Sequence, residues 1–318
     1  MSCDSPFTHR TKFTWCIAVC ALLLTGLAHA GIVSTTHPLE RNGVRLFLQQ
    51  HHEEQEGQQS PHILLVHGLT YSSHEFDVPF EDYSLVRVLA NHHYHVWTLD
   101  ITGYGGSGLP INGFIPDSDY AARDVAAAVS EILKFAGVET IDLLGWSWGT
   151  VTAARMAEMY PQWIDRLVLY APLHRGLGGP PPTTDWHVNT WDHAAEDFQK
   201  LPNGAIDYSI VPPEVAAAYL SNCWRYDGNR SPNGGRRDLS QHSDVRLFHE
   251  EKLSMPVLLI GGSHDPYMDW KDLAVMFQHL PQKEHSSVVK INGASHVMML
   301  EKPYYRRFQE EVLLFLGR

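Results

Sequence analysis

The sequence has little cysteine in the part that would fold. It contains four cysteines in 318 residues, and Cys3, Cys16 and Cys20 all lie within the first 30. Beyond that segment only Cys223 remains, so no intramolecular disulfide can form there and a hydrophobic core must stabilise the fold. With 44% hydrophobic residues, a chain of this length can build such a core. We expect Cys223 to be buried and inert.

Positive charge is also scarce. Lys and Arg number 24 against 36 Asp and Glu, which gives a formal net charge of −12. A nucleic-acid partner requires a basic surface, so this balance argues against one. The charge indicates nothing further about function, because acidic surfaces commonly serve solubility.

The first 30 residues have the pattern of a secretory signal. Arg10 and Lys12 precede an uncharged apolar run over 13–27, and Ala28-His29-Ala30 has small residues at the positions that a signal peptidase reads. We predict cleavage after Ala30 and a secreted or periplasmic protein without a stable membrane anchor. An uncleaved anchor is the alternative, although the run is shorter than the roughly 20 residues of a spanning helix.

Apolar runs alternate with helical patterns in two parts of the chain. The runs 63–66, 95–99 and 257–260 are continuous and short, which is typical of strands buried on both faces. Residues 120–135 have one apolar stripe at helical spacing. This alternation predicts an α/β fold, a mostly parallel sheet with helices on both faces.

The alternation stops between residues 172 and 254. This stretch is rich in Pro, Gly and Trp, and its tryptophans are Trp186, Trp191 and Trp224. Long insertions in compact folds are commonly lids or binding loops. We predict a core formed by 31–171 and 255–318, with a lid over 172–254.

The segment Gly145-Trp146-Ser147-Trp148-Gly149 follows an apolar run and begins a helical stretch. A strand, Gly-x-Ser-x-Gly and a helix in this order are typical of a nucleophilic serine. The tight turn strains the serine backbone, and a Cβ at either glycine would collide with its surroundings. The alternative is a buried serine between two core tryptophans.

A serine hydroxyl becomes nucleophilic when a base takes its proton and an acid orients that base. Asp265 and His296 each follow a later predicted strand, and the carboxyl ends of parallel strands gather functional residues. Asp269 and His285 are rivals for these roles. We expect Asp269 to fall inside the next helix, and His285 precedes its strand.

From about residue 40 to 318 the chain resembles the α/β-hydrolase family, with the insertion in that family's usual lid position. The order Ser147, Asp265, His296 is the order known for this family. Three further segments resemble family motifs, namely His67-Gly68, the loop 100–108 and Gly293-Ala294-Ser295-His296.

The resemblance implies a role for each site residue. Ser147 would attack a carbonyl carbon, His296 would act as base and then acid, and Asp265 would orient the imidazole. The backbone N–H groups of Leu69 and Trp148 would form the oxyanion hole.

Two other patterns invite functional interpretations that we set aside. Residues 103–108 fit Gly-x-Gly-x-x-Gly, but a dinucleotide fingerprint must open into a helix, and Leu109 to Gly113 read as loop. The histidines at 51–52 and 92–95 lack acidic or cysteine partners at ligand spacing. We therefore predict neither a cofactor nor a metal.

Serine at the turn favours ester, thioester, amide or lactone substrates, whereas aspartate would indicate a dehalogenase or an epoxide hydrolase. We predict a secreted carboxylesterase or lipase-like enzyme that acts on a small-molecule ester or acyl substrate. Trp146 and Trp148, with the tryptophans of the insertion such as Trp224, suggest an apolar aromatic acyl pocket, although core packing explains each of them equally well.

Two alternatives remain open. The segment Ser147-Trp148-Gly149 resembles the elbow of prolyl aminopeptidases, and in Trp224-Arg225-Tyr226-Asp227 the acid Asp227 would bind the substrate amine. However, the sequence after His67-Gly68 lacks the Gly-Gly-Pro-Gly continuation of those enzymes. A non-catalytic binding protein with this fold is the second alternative. The sequence predicts no oligomeric state.

Overall fold

A computed structural model describes Met1 and residues 31–54, 60–190 and 195–317. The predicted signal over 1–30 lies outside the described residues except for Met1, and so does Trp191. The signal therefore stays a prediction.

The described residues contain one large sheet and one short two-stranded antiparallel sheet. The strands in chain order are β1 (Ile32–Arg41), β2 (Val44–Glu53), β3 (His62–Val66), β4 (His95–Asp100), β5 (Ile141–Trp146), β6 (Ile164–Tyr170), β7 (Trp186–Val188), β8 (Arg230–Pro232), β9 (Val257–Gly262) and β10 (Ser287–Ile291). The large sheet has the order β1-β2-β4-β3-β5-β6-β9-β10, and β7 pairs with β8. Only the pairs β1–β2 and β2–β4 are antiparallel in the large sheet, which confirms the mostly parallel arrangement.

The helices cover both faces of this sheet. They are α1 (Leu85–Ala90), α2 (Ser118–Ala136), α3 (Trp148–Met159), α4 (Pro213–Asp227), α5 (Gly234–Leu239), α6 (Trp270–His279) and α7 (Tyr305–Phe315). Helix α2 begins after Asp117, whose side chain accepts a hydrogen bond from Tyr120 N, and it ends at Gly137 with φ 68°. Among the described residues, no helix is both long enough and apolar enough to span a bilayer.

Two hydrophobic layers sandwich the central strands. In β3, Ile63 and Leu65 pack in one layer, whereas Leu64 and Val66 pack in the other. Every side chain of β3, β4 and β5 is buried, as the continuous apolar runs predict. This packing fixes the carboxyl ends of the parallel strands along one edge, where the candidate site lies.

Strand β1 has no counterpart in the sequence predictions. It lies at the edge of the sheet, and most of its side chains are exposed or half-buried. Because an edge strand buries little, it lacks the apolar run that indicates a central strand.

The segment between β6 and β9 contains the paired strands β7 and β8 and the helices α4 and α5. Cys223 lies in α4 and is free and buried, as expected. The division of the chain into core and lid stays a prediction, whereas the contacts that this segment makes with the site are described below.

Candidate active site

Ser147 occupies a strained turn between β5 and α3. Its backbone has φ 57° and ψ −122°, a region that residues other than glycine rarely adopt. The turn is held by a hydrogen bond from Ser147 N to Tyr170 O at 3.0 Å and by one from Thr150 N to Ser147 O at 2.9 Å. The side chain is half-buried, and its Oγ has no hydrogen-bond partner in the described part of the chain.

The two flanking glycines allow the backbone to approach closely around this turn. A Cβ atom at Gly145 would lie 2.2 Å from the carbonyl oxygen of Gly149, and one at Gly149 would lie 2.2 Å from that of Val66. Because these contacts are with backbone atoms, no side-chain rotation can relieve them. The Gly-x-Ser-x-Gly spacing is thus a requirement of the packing between β3, β5 and α3.

His296 and Asp265 meet beyond the ends of β10 and β9. The imidazole Nδ1 lies 2.7 Å from Asp265 Oδ2, and both side chains are buried. The other carboxyl oxygen of Asp265 accepts a hydrogen bond from Tyr267 N at 2.9 Å. An imidazole held in this way by a carboxylate keeps its Nε2 available as a proton acceptor.

The rival residues lie elsewhere. Asp269 is the N-cap of α6, where its side chain accepts a hydrogen bond from Lys271 N, so it precedes the helix rather than lying inside it as expected. His285 is exposed in a short turn before β10.

The surroundings of His296 favour its charged form on balance. Burial lowers the pKa of His296, but the charge and hydrogen bond of Asp265, together with the charge of Asp197, outweigh burial and raise the pKa above 6.5. Asp197 accepts a hydrogen bond from Tyr267 OH at 2.9 Å, and the ring of Tyr267 contacts that of His296 edge-on. No motif pointed to Asp197.

A cavity of about 180 Å³ adjoins Ser147 and His296. Its wall includes Leu69 and Trp146, two of the predicted site residues, and also the ionisable side chains of Tyr71, Glu75, His187, Glu196, Asp197, Tyr219, Arg236 and Tyr267. Aromatic rings, Trp146 and Phe198 among them, do line the cavity together with several leucines, but charged side chains share the wall, so the pocket is not purely apolar.

Leu69, one of the two residues predicted for the oxyanion hole, lies in the turn that follows β3. Among the described residues, the N–H of Leu69 forms no hydrogen bond, and the N–H of Trp148 lies in the first turn of α3, where a helix leaves its N–H groups unpaired. The Leu69 carbonyl accepts a hydrogen bond from Tyr104 OH at 3.0 Å, which fixes the orientation of the peptide.

His67 and Glu75 support this turn from below. His67 Nε2 accepts a hydrogen bond from Ile101 N, and its Nδ1 lies 2.8 Å from Gly68 O, so Nδ1 carries the proton. Burial lowers the pKa of His67 to about 4, which keeps the ring neutral. Glu75 Oε1 accepts a hydrogen bond from Gly68 N at 2.7 Å, and burial raises the pKa of Glu75 well above its usual range.

Asp100, which is buried, and Asp227, which is half-buried, hold the loops after β3 and β4 together and lie outside the cavity wall. Asp100 Oδ1 accepts hydrogen bonds from the N–H and hydroxyl of Ser73, and its Oδ2 accepts one from Gly106 N. Asp227 Oδ2 accepts from the N–H and hydroxyl of Ser72, and its Oδ1 accepts from Gly105 N at 2.9 Å. Burial raises the pKa of each carboxyl to about 6.

The structure thus corrects the predictions for Asp227 and Trp224, because neither lines the cavity. Both carboxyl oxygens of Asp227 accept hydrogen bonds from the loops that contain Ser72 and Gly105. The indole N–H of Trp224 donates to Tyr71 OH at 2.8 Å. Both residues belong to α4, so this helix supports the cavity wall from behind.

The two tryptophans beside Ser147 differ in their surroundings. Trp146 lines the cavity, and its indole N–H donates to the carbonyl of His296 at 3.1 Å. The side chain of Trp148 is fully buried and donates to Ser118 Oγ at 2.9 Å. For Trp148 only the backbone N–H remains available to a ligand.

A family model described as the alpha/beta hydrolase fold matches residues 61–303. The chain belongs to the α/β-hydrolase family.

Curated relatives of this α/β-hydrolase differ in activity. Serine hydrolase BPHL of Homo sapiens is 31% identical over 140 residues, which cover 44% of this chain and 44% of that protein. Fluoroacetate dehalogenase of Burkholderia sp is 32% identical over 106 residues, covering 33% and 32%. Both matches span less than half of the relative, so the chemistry must be inferred from this chain's own residues.

Solved structures share the fold at lower sequence identity. A hydrolase from Pseudomonas aeruginosa PA01 superposes with a TM-score of 0.64 at 19% identity, covering 89% of this chain and 98% of that one.

The hydrogen bonds that Asp227 accepts generate a prediction. We expect Asp227→Ala to lower the free energy of unfolding by about 1–3 kcal/mol, because the N–H groups of buried Ser72 and half-buried Gly105 lose their acceptor. Urea unfolding at neutral pH measures this, with Glu214→Ala, an exposed position on α4, as the control. Equal stabilities of the two variants would contradict this role of Asp227.

Proposed function

We propose that this α/β-hydrolase is a secreted serine hydrolase that cleaves carboxylic esters or related acyl bonds through an acyl-enzyme. The observation that carries the proposal is Ser147 on its strained turn, in the same cavity as a histidine paired with a buried carboxylate at 2.7 Å. Serine at this position distinguishes the expected chemistry from that of an enzyme with an aspartate nucleophile.

In the proposed mechanism Ser147 Oγ attacks the carbonyl carbon while His296 Nε2 accepts the hydroxyl proton. The tetrahedral intermediate collapses as His296 protonates the leaving oxygen, which departs as an alcohol and leaves an ester on Ser147. Water then attacks this ester with His296 as base, and proton return to Ser147 releases the acid. Asp265 holds the imidazole in one tautomer and stabilises its charged form throughout.

The N–H groups of Leu69 and Trp148 are proposed to meet the oxyanion. Within the described part of the chain neither N–H has an acceptor. Leu69 lies in a turn whose carbonyl is held by Tyr104 OH, and Trp148 is the first residue of α3. Donors held in place before the reaction stabilise developing charge without reorganisation, and the loss of one such donor typically costs about 10²–10³ in kcat.

The aminopeptidase alternative needs Asp227 to bind the substrate amine. Asp227 cannot do so while its carboxylate accepts hydrogen bonds from Ser72 and Gly105. We therefore prefer ester hydrolysis to peptide hydrolysis as the proposed activity. Secretion is proposed from residues 1–30 alone, and an exported protein whose N-terminus is not Gly31 would contradict the predicted cleavage.

Turnover of short p-nitrophenyl esters tests the proposal. We expect Ser147→Ala to lower kcat by about 10⁴-fold or more and Asp265→Asn by about 10⁴-fold, since each removes one member of the unit. Asp269→Asn is the matched control, because asparagine also caps a helix and should leave kcat within a few-fold. Activity on Pro- and Ala-p-nitroanilides without any ester turnover would overturn the assignment.

The pH profile tests the role of His296. Since the base must be neutral, kcat/KM should rise with pH through a pKa above 6.5. The charge of Asp197 raises the pKa of His296, so Asp197→Asn should move this acidic limb to lower pH. Glu196→Gln is the control, because this exposed neighbour is not among the groups that shift the histidine. An unmoved or upward-shifted limb in Asp197→Asn would contradict the account.

A further inference from the structure

The short helix α5 packs closely against Trp148 and Leu69, beside the candidate active site. A Cβ atom at Gly235 would lie 2.5 Å from the ring of Trp148 and 2.6 Å from Leu69 Cδ2, and one at Gly234 would lie 2.4 Å from Pro116 O. The two glycines therefore permit an approach that a side chain would block. The residue that follows them, Arg236, lines the cavity with Ser147.

Arg236 enters this cavity with much of its hydrogen-bonding capacity unused. Its Nη1 donates to Ser231 Oγ and to Pro232 O, both at 3.0 Å, which fixes the guanidinium against the end of β8. In the described part of the chain, Nε and Nη2 have no acceptor, and no carboxylate lies within 4.0 Å of the guanidinium. The Nε–Nη2 edge is the one that binds a carboxylate side-on with two parallel hydrogen bonds.

The charge of Arg236 is incompletely balanced by the protein. Burial lowers the pKa of Arg236, whereas Tyr104, Asp197 and Glu196 act in the opposite direction. In the described part of the chain neither of these carboxylates forms an ion pair with the guanidinium. A guanidinium nevertheless stays charged in proteins. A largely desolvated cation with a free edge in a reaction cavity is stabilised when an anion binds.

We propose that Arg236 binds a carboxylate of the substrate, so that the preferred substrates are esters carrying a free carboxylate in their acyl or leaving group. This inference rests on the proposed ester hydrolysis. The negative charges of Asp197 and Glu196 disfavour an anion close to them, so we place the substrate carboxylate at the Nε–Nη2 edge of Arg236.

Matched p-nitrophenyl esters test the acyl side. The anionic probe is the monoester of adipic acid, the neutral probe is the hexanoate and the cationic probe is the ω-aminohexanoate, which have equal chain lengths. On the leaving-group side, para-carboxyphenyl hexanoate is compared with para-carbamoylphenyl hexanoate. For at least one pair we expect kcat/KM to favour the anionic ester by about 10- to 100-fold, the range of a charge-assisted hydrogen bond.

Variants assign this preference to the guanidinium. Arg236→Met removes the charge at similar length and should bring the ratio of anionic to neutral kcat/KM close to unity. Arg236→Lys keeps the charge without the fork and should retain part of the ratio. Arg237→Met is the matched control on the same helix, because Arg237 is exposed, lies outside the cavity wall and should leave the ratio unchanged.

The outcomes separate this inference from the proposed function. Hydrolysis of the neutral esters without an anionic preference, a preference for the cationic ester, or an anionic preference that survives in Arg236→Met would each overturn the role of Arg236 and leave ester hydrolysis standing. Failure of every ester, with Ser147→Ala behaving like the wild type, would overturn the proposed function itself.

Discussion

The strained backbone at Ser147 is the constraint on which the rest of the site depends. A positive φ at a serine is unfavourable by itself, so the surrounding packing must impose it. The carbonyl oxygens of Val66 and Gly149 lie so close to the turn that only glycine fits at 149 and 145. The same close approach places the N-terminus of α3 beside the oxyanion turn after β3, so one packing arrangement orients both the serine hydroxyl and the N–H groups that we propose for the oxyanion.

Around this turn, carboxylates that are buried or half-buried accept hydrogen bonds from the backbone. Glu75, Asp100 and Asp227 each accept backbone N–H groups of the loops that flank the cavity, and burial raises the pKa of all three. Burying such groups lowers stability, but their fixed acceptors hold the loops in one geometry. Because Asp227 belongs to α4, its hydrogen bonds join the segment between β6 and β9 to the loops after β3 and β4. Arg236, in α5 of the same segment, lines the cavity.

The sequence predicts the position of a residue well where a local pattern determines that position, and poorly where long-range packing does. Ser147 and Asp265 follow buried strands with continuous apolar runs, and His296 follows the edge strand β10. The strand-end rule brings all three to one edge, where Nδ1 of His296 lies 2.7 Å from Asp265. Strand β1 escaped prediction because an edge strand buries little. The partners of Asp227 and Trp224 lie more than a hundred residues away in sequence, and the position of Arg236 at the cavity depends on how the same Pro- and Gly-rich segment packs. No periodicity encodes that packing. The sequence signal that could have indicated Arg236 is that a charged residue directly follows two glycines, which permit a close approach of the backbone.

Reaction with a fluorophosphonate tests the central claim, that Ser147 is an activated nucleophile, most directly. Intact-mass spectrometry followed by peptide mapping would locate the adduct. The account predicts one adduct per chain, on Ser147, abolished by Ser147→Ala and strongly slowed by His296→Ala because the base is then missing. An adduct on another residue, or labelling that survives Ser147→Ala, would contradict it.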